Sequence, residues 1–184
     1  LNYGVTGARV RCVGCHAGHS LIPVPPTEEE ARWTNLAPGA AITQSSLDPA
    51  LDGNTDGLID RRVRTGRPEW YWRSAPGQSP NGQWVALTFP QPVRMRTVRL
   101  YGAPPGESVT TEVQQVRVSV FATSSSGQPV FSTIVGPVRD EGIDVAVGDV
   151  AAQHIRVEFL AVTGLTRYQH IASLAEVEVI ARAQ

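Results

Sequence analysis

Apolar and polar residues alternate in run after run of this chain. Residues 83–89 do so, as Gln-Trp-Val-Ala-Leu-Thr-Phe, and so do 93–101, 113–121, 154–160 and 174–181. Residues 130–135 and 142–147 add shorter stretches of the same kind. A strand turns successive side chains to opposite faces, so a period of two gives one buried face and one wet face. Seven or eight such strands with turn residues between them predict a mainly β fold, an antiparallel sandwich. Composition agrees: 17 Gly and 14 Pro against a single Met suit many short strands joined by turns. Ser124-Ser125-Ser126-Gly127 reads as a hairpin tip. One helix start stands out: Thr27 with Glu30 three residues on has the form of a capping box, for a helix of one or two turns ending by Trp33.

The 184 residues suffice for one good domain and an appendage. Pro23, Pro25 and Pro26 separate a segment of residues 1–31 from a β domain of residues 32–184. The net charge of −1 gives no electrostatic case for nucleic acid. All sixteen basic residues are Arg, a choice that suits either a GC-rich source or a surface built for planar pairing. No stretch approaches the ~20 apolar residues of a helical membrane span. The chain starts at Leu1 without Met, which reads as a processed or trimmed product.

The short segment carries Cys12-Val13-Gly14-Cys15-His16, and these are both of the chain's cysteines. Cys-x-x-Cys-His is the attachment signature of haem c. The two thiols add across the two vinyl groups of one porphyrin, and His16 is held under the iron as proximal ligand. Three other readings stay open. A redox pair would want a strand-then-helix setting of thioredoxin type. A zinc site would need two more ligands, with His19 the sole local one. A plain disulfide is the third. Covalent haem is attached outside the cytoplasm in bacteria, so the haem reading implies an extracytoplasmic location.

A resemblance covers roughly residues 33–182. Asn35-Leu36-Ala37, Thr43-Gln44-Ser45-Ser46, Leu51-Asp52-Gly53-Asn54, Trp72-Arg73-Ser74, Gln83 to Phe89, Val98 to Tyr101, His154 to Val157 and Leu174 to Val179 occur in an order that resembles a discoidin, or coagulation-factor type C, domain. The resemblance implies an eight-stranded jelly-roll of the galactose-binding-like sandwiches. It implies that Trp72 and Trp84 pack in the core. It also implies a structural calcium at Asp52, Asn54 and Glu176, with Asp56 a further donor; a plain Asx turn is the alternative. Hard oxygen ligands of this kind suit Ca²⁺. Sugar contacts would fall to Arg64, Arg67, Trp70 and Tyr71; the alternative is that Trp70 and Tyr71 cover the haem or an interface. The disulfide of factor-type members is missing, since Cys12 and Cys15 lie outside the domain.

The haem segment is too short for a cytochrome fold, so the haem must be covered by the sandwich or a neighbouring chain. Tyr3 and Trp33 are expected to shield it. His19 follows His16 too closely to reach the opposite face of the same iron. It is expected instead to serve the iron of another haem-bearing chain or a second copy of this one, in a dimer or a filament. His170 folded back from the sandwich is the alternative distal ligand, and His154 is expected to be structural. The function these readings favour is electron transfer by a monohaem c-type cytochrome. The alternative is a carbohydrate-binding or adhesion module that docks the haem-bearing segment on surface polysaccharide. No nucleophile–base constellation is visible, so enzyme activity is not expected. An open iron with peroxidase-like activity ranks third.

Overall fold

The computed structural model describes residues 27–51, 53, 55–61, 71–103, 112–164 and 171–183. Among them are a short helix α1 (Glu28–Ala31) and nine strands. The strands are β1 (Thr34–Asn35), β2 (Ala41–Gln44), β3 (Trp72–Arg73), β4 (Trp84–Tyr101) and β5 (Glu112–Phe121). They continue with β6 (Phe131–Val135), β7 (Ile143–Thr163), β8 (Ser173–Leu174) and β9 (Glu176–Ala183). Every ladder is antiparallel. Thr27 caps α1 as expected: its hydroxyl accepts from Glu30 N–H at 3.2 Å, and the Glu30 carboxylate accepts from Thr27 N–H at 3.1 Å.

The runs at 83–89 and 93–101 prove to be one strand, β4. It pairs with β7 along its length, with β2 over Val85–Thr88, and with β9 over Val93–Tyr101. The β4–β7 ladder skips from Thr88 to Val93, across Pro90 and Pro92. Proline has no N–H to give a ladder, so the strand bends there without ending. Gln153 Nε2 donates to the Phe89 carbonyl at 3.0 Å, which serves a backbone group at the bend. The bend makes two layers: β2, β6, β5 and the first half of β4 with the second half of β7, against β1, β9 and the remaining halves. Both layers feed one core, in which Val85, Leu87 and Phe89 of the front join Val98, Val177 and Val179 of the back. The β-sandwich expectation holds.

A second irregularity lies between Met95 and Thr97, and it affects pairing with both β7 and β9. Met95 and Val98, three apart, are both fully buried. The extra residue of this bulge turns both Arg96 and Thr97 outward, the kind of re-aiming that bulges do. On β7 the same irregularity takes in Gly148 and Asp149, both at positive φ. Met95 sits in the core.

Two tryptophan expectations part ways. Trp72 is 1% exposed and stacks on Phe159 with ring centroids 5.3 Å apart. Trp84 is half-buried on the outer face, under the Arg156 guanidinium at 4.7 Å. Inward Val85, Leu87 and Phe89 fix the parity of β4, so Trp84 shares the outward face with Ala86 and Thr88. The core reading of Trp84 is corrected on that ground.

Candidate functional site

One end of the sandwich gathers the edges of several connecting segments. The back layer ends at Tyr101, paired to Glu176, and at Leu100, paired to Ile143. Hydrogen bonds tie this end to the front layer. Gly102 N–H donates to the Arg139 carbonyl at 2.7 Å, and Val138 N–H to the Val113 carbonyl at 2.8 Å. Trp72 pairs with Leu174 just before β9 while its ring stacks on Phe159 of the front layer. Tyr71, Ala103, Glu112, Gly164 and Ile171 therefore share this end. They flank residues 62–70, 104–111 and 165–170. Gly102 is required there, because a Cβ would meet the Val138 carbonyl oxygen at 2.5 Å.

Two tyrosines make the floor of this end. Tyr71 is 3% exposed and packs with Tyr101 and Ala175. Sequence reasoning took Tyr71 for an open ligand contact and overlooked Tyr101. Its placement puts Tyr71 beneath the rim. The Tyr101 hydroxyl donates to Glu178 Oε2 at 3.5 Å. Burial, then the Glu178 charge, raises the Tyr101 pKa above the ordinary phenol value.

Arg99 completes the arrangement. Its register partners are Asp144 on β7 and Glu178 on β9. Its guanidinium forks onto both Asp144 oxygens, with Nη2 to Oδ2 at 2.9 Å, and Nη1 reaches Glu178 Oε2 at 3.3 Å. The Arg99 hydrogen bond holds the Asp144 carboxyl below the usual carboxylate range, and Asp144 in turn raises Arg99. Charge at this outer face is thus paired within the fold. Only register reveals the triplet, because its members are 34 to 79 positions apart in the chain.

Glu176 is fully buried, and its Oε1 accepts from Arg61 N–H at 3.1 Å. Asp56 opens a 3-10 turn, Asp56–Leu58, that packs against β9. Carboxylates and turn carbonyls are the hard oxygens that Ca²⁺ takes. Among the described residues no three His, Cys, Asp or Glu side chains are grouped to hold a metal. A calcium shell here needs Asp52 and Asn54, which lie outside the described residues, as do Arg64, Arg67, Trp70 and His170. The same is true of Tyr3, Cys12, Cys15, His16 and His19. His154 is described, and both its ring nitrogens are occupied. Nε2 lies 3.0 Å from the Thr123 carbonyl, which can only accept, so that nitrogen carries the proton. Nδ1 then accepts from Thr88 Oγ1 at 3.0 Å. The structural reading of His154 holds.

No protein-family model matches this chain, and no curated protein is significantly similar to it. Solved structures do share its fold. A fucose-binding module of Streptococcus pneumoniae superposes with a TM-score of 0.62 at 21% identity, over 80% of this chain and 95% of that one. The shared fold is an antiparallel β-sandwich. The lectin domain of lectinolysin, solved with Lewis B antigen, gives a TM-score of 0.59 at 19% identity, over 82% and 98%. The family 32 carbohydrate-binding module of C. perfringens NanJ, solved with galactose, gives 0.58 at 15%, over 80% and 98%. These identities establish the fold of the sandwich and leave its ligand open. Among the described residues no helix is long and apolar enough to cross a membrane.

Proposed function

We propose that the discoidin-like sandwich is a carbohydrate-binding module that anchors a haem c-bearing N-terminal segment to extracellular or cell-surface polysaccharide. The observation that carries this reading is the likeness to a fucose-binding module and to sandwiches solved with Lewis B antigen and with galactose. The gathering of Tyr71, Ala103, Glu112, Gly164 and Ile171 at one end supports it. Arg64, Arg67 and Trp70 lead into Tyr71 in the chain. An indole face offers sugar C–H groups a stacking surface, and guanidiniums donate to hydroxyls. A calcium at Asp52, Asn54, Asp56 and Glu176 would brace this end and supplies no chemistry to the ligand. The test is binding of the chain to a panel of fucose-, galactose- and uronate-bearing glycans. Trp70→Ala and Arg64→Ala should each weaken binding at least tenfold. Failure to bind any glycan, or binding indifferent to both changes, would overturn the reading.

The Cys12-x-x-Cys15-His16 motif favours a second role, electron transfer through the attached haem. His19 then ligates the iron of a neighbouring haem-bearing chain or copy, and His170 is the alternative ligand in cis. A low-spin spectrum that His19→Ala converts to high spin supports the first ligand. Conversion by His170→Ala supports the second.

A further inference from the structure

We propose that an arginine-walled hollow at the bend of the sandwich receives the two propionate groups of a haem carried on Cys12 and Cys15. The inference rests on the haem reading above and adds the surface that seats the group.

Arg94 on β4 and Arg182 on β9 are direct register partners. Like charges facing each other across a ladder destabilise it. One carboxylate, Asp149, serves both: Arg94 Nε donates to Oδ1 at 2.7 Å, and Arg182 Nη2 lies 3.7 Å from Oδ2. Arg32, at the end of α1, brings a third guanidinium. Together with Ala183 these three arginines line an open hollow of about 460 Å³. Three guanidiniums against one carboxylate leave two positive charges. That balance matches a dianion with its carboxylates side by side, such as a haem's propionate edge, and guanidinium forks suit carboxylates.

The local backbone is arranged to hold the site. The Arg96 bulge leaves Arg94 and Arg96 both facing outward, and left-handed Asp149 reaches back to Arg94. Trp33 lies within cation–π reach of two guanidiniums, Arg96 at 5.6 Å and Arg182 at 4.8 Å. On the far side of Trp33, Arg96 faces Glu29, Glu30 and Asp149 across a second hollow. One guanidinium against three carboxylates leaves that hollow net negative, which disfavours a dianion there and singles out the first hollow.

Chain connectivity favours the same occupant. The described chain begins at Thr27, whose capping box orients α1 so that Arg32 reaches the hollow. Ten residues separate His16 from Thr27. They span at most about 36 Å, so a haem on His16 can reach this face. About 23 Å of β4, from Arg94 to Tyr101, lies between the hollow and the loop end. Ile171, the residue after His170, is at that other end. A haem seated at the hollow therefore lies away from the end at which Ile171 sits.

The test uses the full chain produced with haem attached, beside a Cys12→Ala/Cys15→Ala chain that cannot attach it. Mass spectrometry first establishes whether haem is bound. Labelling with an arginine-specific dicarbonyl should then be at least fivefold slower at Arg32 and Arg182 in the haem-bearing chain. Arg117, on the front layer, should label equally in both. Arg32→Gln and Arg182→Gln should each lower the haem reduction potential, since each removes a positive charge that disfavours the ferric state. The potential of Arg117→Gln should not change. Haem bound with equal labelling of Arg32 and Arg182 in the two chains overturns the inference and leaves the haem reading intact. No haem on the unmodified chain overturns both. Protection of the same arginines in the haem-bearing chain only by an added oligouronate assigns the hollow to an acidic sugar and also overturns it.

Discussion

The two ends of the sandwich use the same side chains in opposite balance. At the loop end one guanidinium, Arg99, is shared by two carboxylates, Asp144 and Glu178. At the bend one carboxylate, Asp149, is shared by two guanidiniums, Arg94 and Arg182. The first arrangement stands beside a buried tyrosine floor and is net negative by one charge. The second leaves positive charge facing solvent next to α1. The contrast separates charge that serves the fold from charge that we propose meets a ligand.

The largest effect expected is at the loop end. Trp72→Ala removes a ring that links both layers and should cost about 3–5 kcal/mol in urea unfolding. A loss under about 1 kcal/mol would show that this end is not braced through the core. The two ends also differ in what their glycines answer to. Gly102→Ala drives a Cβ into the Val138 carbonyl and should cost about 1–3 kcal/mol. Gly148→Ala meets nothing within 4 Å but keeps a φ of +89°, and should cost about 1–2 kcal/mol through the backbone alone.

Charge changes are smaller and should differ in sign. Arg99→Gln, which strands two carboxylates, should destabilise by about 1 kcal/mol. Arg182→Gln, which removes a like charge opposite Arg94, should leave stability unchanged or raise it by a few tenths of a kcal/mol. Equal losses in both would break the comparison. The weakest effect is with pH. Asp144 and Asp149 have folded pKa values held below the unfolded value by Arg99 and Arg94 respectively. Their stabilisation is therefore full above the unfolded carboxyl range, about pH 4, and lost as pH falls through the depressed folded values. Acid titration of Arg99→Gln should lack the Asp144 share.

The fold was legible in the sequence because alternation is a local record of burial. Val116, Val118 and Val120, or Val177 and Val179, declare an inner face wherever their strand is placed. The same parity could have placed Trp84 outside, since Val85, Leu87 and Phe89 define the inner side. The fusion of two runs into β4 was hidden because Pro90 and Pro92 read as a break, while in the fold they mark a bend. The site was less legible. Tyr71 looked like a rim residue because its neighbours are polar, and its burial depends on Tyr101, which arrives from another strand.

By itself the sequence determined a half-buried β sandwich and a Cys-x-x-Cys-His segment joined through a capped turn at Thr27. Both are short-range facts, written in residues two to five positions apart. The tertiary structure decided that Arg94 faces Arg182 across a ladder and that Arg99 lies between Asp144 and Glu178. Those neighbours come from register, and register depends on bends and bulges whose effects reach strands far away in the chain.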